Sequence, residues 1–108
     1  MDDASFGLKN GDLSTIIQIL QQYKEIEQAI IFGSRAKGNY KNGSDIDIAL
    51  KGEISLKTFS DCQFILEEEI LLPYMFDIID YNRLTNDKLK EHIDRVGVVF
   101  YERETHIS

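Results

Sequence analysis

The sequence has 108 residues, 43% of them hydrophobic and 29% charged, which is typical of one globular domain. No apolar run approaches the roughly 18 residues of a membrane span, and the acidic start "MDDASFGLKN" lacks signal-peptide features. The lone Cys62 leaves no disulfide framework, so we expect a cytoplasmic protein. The net charge of -7 argues against nonspecific nucleic-acid binding. Any polyanionic ligand must therefore be met locally, by a few cations or by metal.

The first half of the chain predicts one helix and two strands. Asp12 to Tyr23 carries apolar residues at helical spacing, with Asp12 as a candidate N-cap. The short apolar run from Ala29 to Phe32 stops at Gly33, as a strand covered on both faces would. Ser44 to Leu50, "SDIDIAL", alternates strictly between apolar and polar residues, except that Ala49 falls on the aspartate side. This alternation predicts a strand with one isoleucine face and one aspartate face.

The second half predicts two helices, each followed by a strand. Ser55 to Leu72 has helical spacing and stops before Pro73, and Tyr74 to Tyr81 then indicates a strand. Asn86 to Gly97 predicts a short helix, and Val98 to Tyr101 a last strand before a polar tail that we expect to fray. The fold class is thus α/β (α+β), a sheet of about four strands with helices mainly on one face.

Asp45 and Asp47 form the first candidate site. Residues two apart on a strand project side by side, roughly 7 Å apart, so the two carboxylates point from the same face. Carboxylates this close repel each other unless a cation neutralises them. Mg²⁺ prefers carboxylate oxygens and keeps positions open for water and phosphates. The pair therefore predicts a metal site of the kind used in two-ion displacement at phosphorus.

A two-ion site generally needs a third carboxylate, and the strand "MFDIID" offers Asp77 and Asp80. Because alternate residues share a face, Phe76, Ile78 and Asp80 lie together and Asp77 lies opposite them. If Phe76 and Ile78 face the helices, Asp77 falls on the aspartate face. We therefore predict Asp77 as the third ligand and assign Asp80 to the strand end or turn.

The residues after the first strand predict an anion site. A strand that ends in Gly33-Ser34 and turns into a short helix exposes backbone N–H groups where a phosphate can sit. Ser34 adds a hydroxyl, and Gly38 permits close approach of the backbone. Arg35 and Lys37 lie in the same turn and are candidate phosphate contacts, although each could equally lie on a solvated helix face.

These motifs together form a recognisable pattern. Gly33-Ser34, ten further residues and Asp45-Ile46-Asp47, with Asp77 on a later strand, resemble the signature of the DNA polymerase beta-like nucleotidyltransferase superfamily. The short chain and the segments "GSRAKG", "SDIDIAL", "FDIID" and "GVVFYE" are most similar to its minimal, MNT-type members. The resemblance spans about residues 12 to 103 of a single domain, residues 1–108, and implies a mixed sheet with the active site on its open face.

The resemblance also implies a chemistry. It implies Mg²⁺-dependent transfer of a nucleoside monophosphate from an NTP, with AMP from ATP as the expected case. Asp45 and Asp47 would be metal ligands, and Asp77 the third carboxylate and general base. Gly33 and Ser34, with Arg35 and Lys37, would bind the nucleotide.

MNT-type proteins commonly pair with a helical HEPN protein, so the resemblance implies a toxin–antitoxin partner whose tyrosine accepts AMP. Two alternatives stay open. One is nucleotidyl transfer to a small molecule, such as an aminoglycoside, for which we expect the chain to be too short to provide an acceptor-binding domain. The other is a non-catalytic module that inhibits a partner by contact alone. Oligomeric state is open too, a homo-oligomer included.

The other polar clusters predict ordinary structural roles. Glu67 to Glu69, "EEE", is most simply a solvated helix face. Cys62, in the middle of the same helix, is expected to be a small apolar filler. Neither feature adds a second chemistry to the candidate site.

Overall fold

The protein folds around a four-stranded mixed sheet. A computed structural model describes residues 5–9, 11–38 and 45–104. The strands are β1 (Gln28–Phe32), β2 (Ile46–Lys51), β3 (Phe76–Asp80) and β4 (Val98–Glu102). Their order across the sheet is β3-β2-β1-β4, with β1 antiparallel to both neighbours and β2 parallel to β3. The predicted mixed sheet of about four strands is confirmed.

Helices and short turns connect these strands. The helices are α1 (Asp12–Gln21), α2 (Ser34–Lys37), α3 (Leu56–Phe64) and α4 (Asp87–Val96). Two 3₁₀ turns lie at Ser5–Gly7 and Tyr81–Arg83, and a π-helical turn at Ile65–Glu69 continues α3. Within residues 5–9, 11–38 and 45–104, no helix is long and apolar enough to cross a membrane.

The start of α1 differs from the prediction. Gly11, at φ 88°, occupies the N-cap position and has no side chain with which to cap the helix. Asp12 is instead the first helical residue, and its carboxylate accepts a hydrogen bond of 2.6 Å from the Tyr74 hydroxyl. The prediction of Asp12 as N-cap is therefore wrong, because a tertiary partner takes its carboxylate.

The second long helix begins as predicted but ends early. Ser55 caps α3, since its hydroxyl accepts a hydrogen bond of 3.1 Å from the Thr58 amide. The π-helical turn closes with a 2.8 Å bond from the Ile70 amide to the Ile65 carbonyl, and Ile70 is already extended. The prediction that helix continues to Leu72 is thus wrong by three residues.

The two faces of the sheet carry different layers. One face packs against α1 and α3 in the larger core, which includes Ile46, Ile48 and Leu50 from β2. The opposite face holds a smaller cluster in which Ile93 of α4 contacts Ala49 and its neighbours. Helices lie mainly on one face, as predicted, and α4 is the exception. Because α4 covers only part of the second face, the rest of that face is available for a site.

Candidate active site

The two aspartates of the first motif lie on the second face of β2. Asp47 sits within the strand between the fully buried Ile46 and Ile48, and its own side chain is only partly buried. Asp45 comes just before the strand and is exposed. Strand alternation therefore separates the aspartates from the isoleucines, as the sequence predicted. Ser44, which was predicted to begin this strand, lies outside the described residues.

Asp77 lies beside Asp47. The parallel register of β2 and β3 places Asp77 directly opposite Asp47, and the Asp77 side chain is exposed. Phe76 and Ile78, on either side of it, are buried in the larger core. The structure thus places Asp77 on the aspartate face, which agrees with the parity argument. Its role as a ligand or base stays a prediction.

Asp80 lies on the other side of β3 and has a structural role. Its carboxylate accepts a 3.1 Å hydrogen bond from the Asn82 amide, which caps the following 3₁₀ turn. It also pairs with Arg83 at 2.5 Å. Asp80 therefore organises the strand end, as the sequence analysis assigned it.

The electrostatics of the aspartate face centre on Asp47. The pKa of Asp47 is raised to about 6, mainly by burial and then by the negative charges of Asp77 and Asp45. A carboxyl with a raised pKa is one whose ionised form lacks compensating positive charge. The face is therefore short of a cation, which is the condition that a bound divalent metal would relieve.

Gly33 brings the signature turn against Asp47. Its backbone adopts φ 76° and ψ -154°, which side-chain-bearing residues rarely reach. A Cβ atom at Gly33 would collide with the Oδ2 atom of Asp47. Glycine is therefore required twice over, for its backbone conformation and for the space that the carboxylate occupies. The result is that the turn and the acidic strand meet at one place.

The turn itself is a single helical turn with glycine at both ends. The Lys37 amide donates to the Gly33 carbonyl at 3.1 Å, and the Gly38 amide donates to the Ser34 carbonyl at 2.9 Å. Gly38 ends the turn at φ 86°, and none of the described residues has an atom within 4 Å of the position of a Cβ atom there. Glycine at this position therefore suits the left-handed backbone, and its close approach to a phosphate stays a prediction. Lys37 is exposed and Ser34 partly so, and their contact with nucleotide stays a prediction.

Arg35 is placed differently from Lys37. Its side chain is only 4% exposed, and Nη1 donates a 2.8 Å hydrogen bond to the Phe6 carbonyl. Its guanidinium also lies over the Tyr74 ring, 5.4 Å from the centroid. A buried cation held in this way serves packing between the turn and the N-terminal segment. This geometry gives Nη1 a partner in the N-terminal segment. The nucleotide contact of Arg35 stays a prediction.

The carboxylate oxygens of Asp45, Asp47 and Asp77 are the kind of ligand that a hard divalent cation binds. Their positions, however, do not form a ready-made metal site. Three carboxylates share one face, and oxygen ligands are those that Mg²⁺ prefers. However, within residues 5–9, 11–38 and 45–104 no group of three His, Cys, Asp or Glu side chains stands ready to hold a metal ion. Asp45, Asp47 and Asp77 would therefore have to rearrange before they could hold an ion together. A two-ion site therefore remains a proposal.

A cleft of about 690 Å³ lies elsewhere, where β1 pairs with the far end of β2. Its lining includes Gln28, Lys51 and Asn82, with cations and carboxylates mixed around them. None of the predicted site residues lines it. Because cations and carboxylates are mixed in its lining, this cleft differs from the aspartate face, where the neighbouring charges are negative, and we take the aspartate face as the candidate site.

Sequence reasoning missed two residues next to the site. The Glu67 carboxylate accepts a 3.2 Å hydrogen bond from the Ile78 amide, and the Gln63 side-chain amide donates to the Ile78 carbonyl at 3.4 Å. Ile78 follows Asp77 in β3. Glu67 is exposed, as predicted for the acidic run, but it also has this partner. No local pattern could have revealed it, since the contact depends on how α3 packs beside β3.

Comparison with known proteins places the chain among nucleotidyltransferases. The family model described as polymerase beta, nucleotidyltransferase, matches residues 14–106. The chain is 34% identical to a Haemophilus influenzae protein named "Probable protein adenylyltransferase MntA". That match covers 97% of this chain and 92% of the relative.

Solved structures share the fold. A chain of a toxin–antitoxin complex with AMP-PNP superposes with a TM-score of 0.70 at 20% identity, covering 86% of this chain and 75% of that one. A complex of tri-AMPylated Shewanella oneidensis HEPN toxin with MNT antitoxin gives 0.56 at 17% identity, covering 84% and 70%. At these identities the likeness shows a common fold and no more.

Proposed function

We propose, since this chain belongs to the polymerase beta nucleotidyltransferase family, that it transfers AMP from ATP to a protein partner. The observation that carries the proposal is the aspartate face, where Asp47 meets Asp77 across the strand pair and Gly33 from the signature turn. The raised pKa of Asp47 indicates a need for positive charge at this point. A divalent cation bound at this point would supply that charge and would attract the triphosphate to an otherwise acidic protein.

Each of the site residues would have a separate role, which follows from its position. Asp45 and Asp47 would hold Mg²⁺, which when bound neutralises phosphate charge and favours displacement at phosphorus. The backbone of Gly33 and the hydroxyl of Ser34 would orient the triphosphate, with the exposed Lys37 as an added cation. Asp77 would accept the proton of the acceptor hydroxyl. The acceptor oxygen then bonds to the α-phosphorus while the bond to pyrophosphate breaks.

The acceptor would come from a partner. Asp45 and Asp77 are exposed, so a second protein has direct access to the aspartate face. The Haemophilus relative is named as a protein adenylyltransferase, and the Shewanella complex joins an AMPylated HEPN toxin to its antitoxin. We therefore propose a HEPN-type helical partner, and an antitoxin role in which AMP transfer neutralises it. A tyrosine hydroxyl is the acceptor that the sequence resemblance implies.

The test is a mass measurement on the purified pair. Incubating both proteins with ATP and Mg²⁺ should raise the intact mass of the partner by one or more AMP units. The matched control replaces Asp45 and Asp47 together by Asn, which removes charge with little change of volume. An unmodified partner, after incubation with the wild-type chain and a confirmed complex, would refute the transfer proposal.

The same pair of proteins separates catalysis from inhibition by contact. If AMP transfer neutralises the partner, the double Asn variant should bind the partner but leave it active. If contact alone were sufficient, that variant would neutralise the partner as fully as the wild type does. Measuring partner activity against both chains therefore decides between these two functions.

A further inference from the structure

The third carboxylate stands on an edge strand. Among the described strands, β3 pairs only with β2, and the β2 side of β3 is used in bonds such as that from the Ile46 amide to the Met75 carbonyl, at 2.8 Å. Backbone groups on the outer side of an edge strand have no strand partner, which leaves the strand freer to shift. The ladder with β2 places Asp77 opposite Asp47 but holds β3 from one side only, so contacts on the outer edge would limit its movement from the other side.

Two side chains hold that outer edge at one residue. Glu67 Oε2 accepts from the Ile78 amide at 3.2 Å, and Gln63 Nε2 donates to the Ile78 carbonyl at 3.4 Å. Both outward backbone groups of Ile78 are thus satisfied, in the way that a neighbouring strand would satisfy them. The Ile78 amide belongs to the peptide bond that joins it to Asp77, so these contacts act directly on the backbone of the third carboxylate.

The π-helical turn presents Glu67 at this edge. Gln63 lies in α3, and Glu67 lies four residues later in the Ile65–Glu69 turn. Side chains four apart share one side of a helix, so both can reach the same strand. π-helical turns are rare and occur frequently at functional sites. The irregular end of α3 is therefore explained if it serves the strand that carries Asp77.

We propose that Glu67 and Gln63 form an edge clamp that positions Asp77 for nucleotidyl transfer. The inference rests on the proposed function, since it assigns the clamp to the same site. Glu67 and Gln63 are positioning residues in this proposal, because they act through the Ile78 backbone. Loss of the clamp lets Asp77 move relative to Asp47, and a displacement near 1 Å can lower turnover by up to about 100-fold.

Three single variants of the full chain and one double variant, each in complex with its partner, test the clamp. Glu67→Ala removes the acceptor, Glu67→Gln keeps an acceptor oxygen without charge, and Glu68→Ala changes the exposed neighbour. Amide hydrogen exchange at Ile78 reports the clamp itself. The turnover number, the KM for ATP and the affinity for Mn²⁺ by calorimetry report the position of Asp77. Thermal unfolding confirms that each variant is folded.

The proposal predicts a split between these readouts. Glu67→Ala should speed Ile78 exchange and lower the turnover number about 10-fold, with the KM for ATP changed less than about 2-fold. Mn²⁺ should bind several-fold more weakly. Glu67→Gln should keep most of the wild-type turnover number and Mn²⁺ affinity, and Glu68→Ala should match the wild type. Adding Gln63→Ala to Glu67→Ala should deepen the loss.

Two results would overturn the clamp. The first is faster Ile78 exchange in Glu67→Ala with turnover and Mn²⁺ affinity unchanged, which would make the contact purely structural. The second is a loss in Glu67→Gln as large as in Glu67→Ala, which would assign the effect to charge. Should the wild type bind Mn²⁺ but transfer no AMP, the proposed function fails separately, and Mn²⁺ affinity still decides on the clamp.

Discussion

The two faces of β2 give neighbouring residues opposite environments, one buried and apolar, the other partly open and acidic. Ile46 and Ile48 are fully buried on one face, whereas Asp47 between them faces the open part of the other, where its ionised form is disfavoured. Ala49, two residues further on, lies under Ile93 of α4. From residue 46 to residue 48, the buried side chains thus lie on one side of the strand and the charge on the other. Because alternation separates them by single residues, substitutions on the two faces should fail in different ways.

The largest expected effect is the loss of AMP transfer when the charges of the aspartate face are removed. Replacing Asp45 and Asp47 together by Asn should lower AMP transfer by about 1,000-fold or more, equivalent to about 4 kcal/mol of transition-state stabilisation. Folding should be unimpaired, because the change relieves repulsion and conserves volume. Single-turnover transfer assays and thermal unfolding measure the two properties. A double variant that transfers AMP at the wild-type rate would remove these residues from the chemistry.

A cavity on the isoleucine face should have the opposite effect: it should lower the stability of the fold and leave the chemistry of the site intact. Ile48→Ala deletes a fully buried side chain and should lower the free energy of unfolding by about 2–5 kcal/mol, with Ile48→Val costing about 1 kcal/mol. Chemical denaturation measures the loss. At a temperature where Ile48→Val is fully folded, its rate of AMP transfer should stay near that of the wild type. A large rate loss in the folded Val variant would show that the faces are not separable.

The two aspartates of β3 allow the same comparison between activity and stability within one strand. Asp77→Asn should lower the transfer rate by about 100-fold, within the range for loss of a general base, and leave the unfolding free energy almost unchanged. Asp80→Asn should keep most of the activity but destabilise the fold by about 1–3 kcal/mol, since it disrupts the bonds to Asn82 and Arg83. Paired activity and denaturation measurements test this. The opposite assignment of losses would place the third carboxylate at Asp80.

The smallest effect is the pH dependence of stability in the absence of metal. The pKa of Asp47 is about 6 in the folded chain, and about 4 is usual for an unfolded one. Between these values the folded state binds the extra proton, so Asp47 should make stability fall as pH rises through that window. Urea denaturation in chelator, compared between wild type and Asp47→Asn, isolates this contribution. A difference between the two proteins that does not vary from pH 4 to 7 would contradict it.

The sequence was sufficient for features that depend on local periodicity. Alternation along β2 and β3 placed Asp47 and Asp77 on one face and assigned Asp80 to the strand end, because strand parity is independent of tertiary packing. The position of Gly33 before the turn was equally readable. Four strands, the mixed sheet and the helix order followed from the same patterns and from the family resemblance.

Features that depend on distant partners were not readable. Arg35 turns inward because the Phe6 carbonyl and the Tyr74 ring, both remote in the chain, surround its guanidinium. Asp12 accepts from Tyr74 for the same reason. Glu67 resembled any solvated acidic residue until the packing of α3 beside β3 revealed its contact with Ile78. The partners of a long side chain depend on which residues the fold brings near it, and the periodicity of the sequence does not show this.

The central claim is that the aspartate face recruits triphosphate through a divalent cation. Calorimetric titration of the chain with ATP, in saturating Mg²⁺ and then in chelator, tests it most directly. We expect affinity to fall by about 100-fold without metal, roughly 3 kcal/mol, because uncompensated carboxylates repel the triphosphate. Most of this metal dependence should vanish when Asp45 and Asp47 are replaced by Asn. ATP affinity that is the same with and without Mg²⁺ would contradict the account.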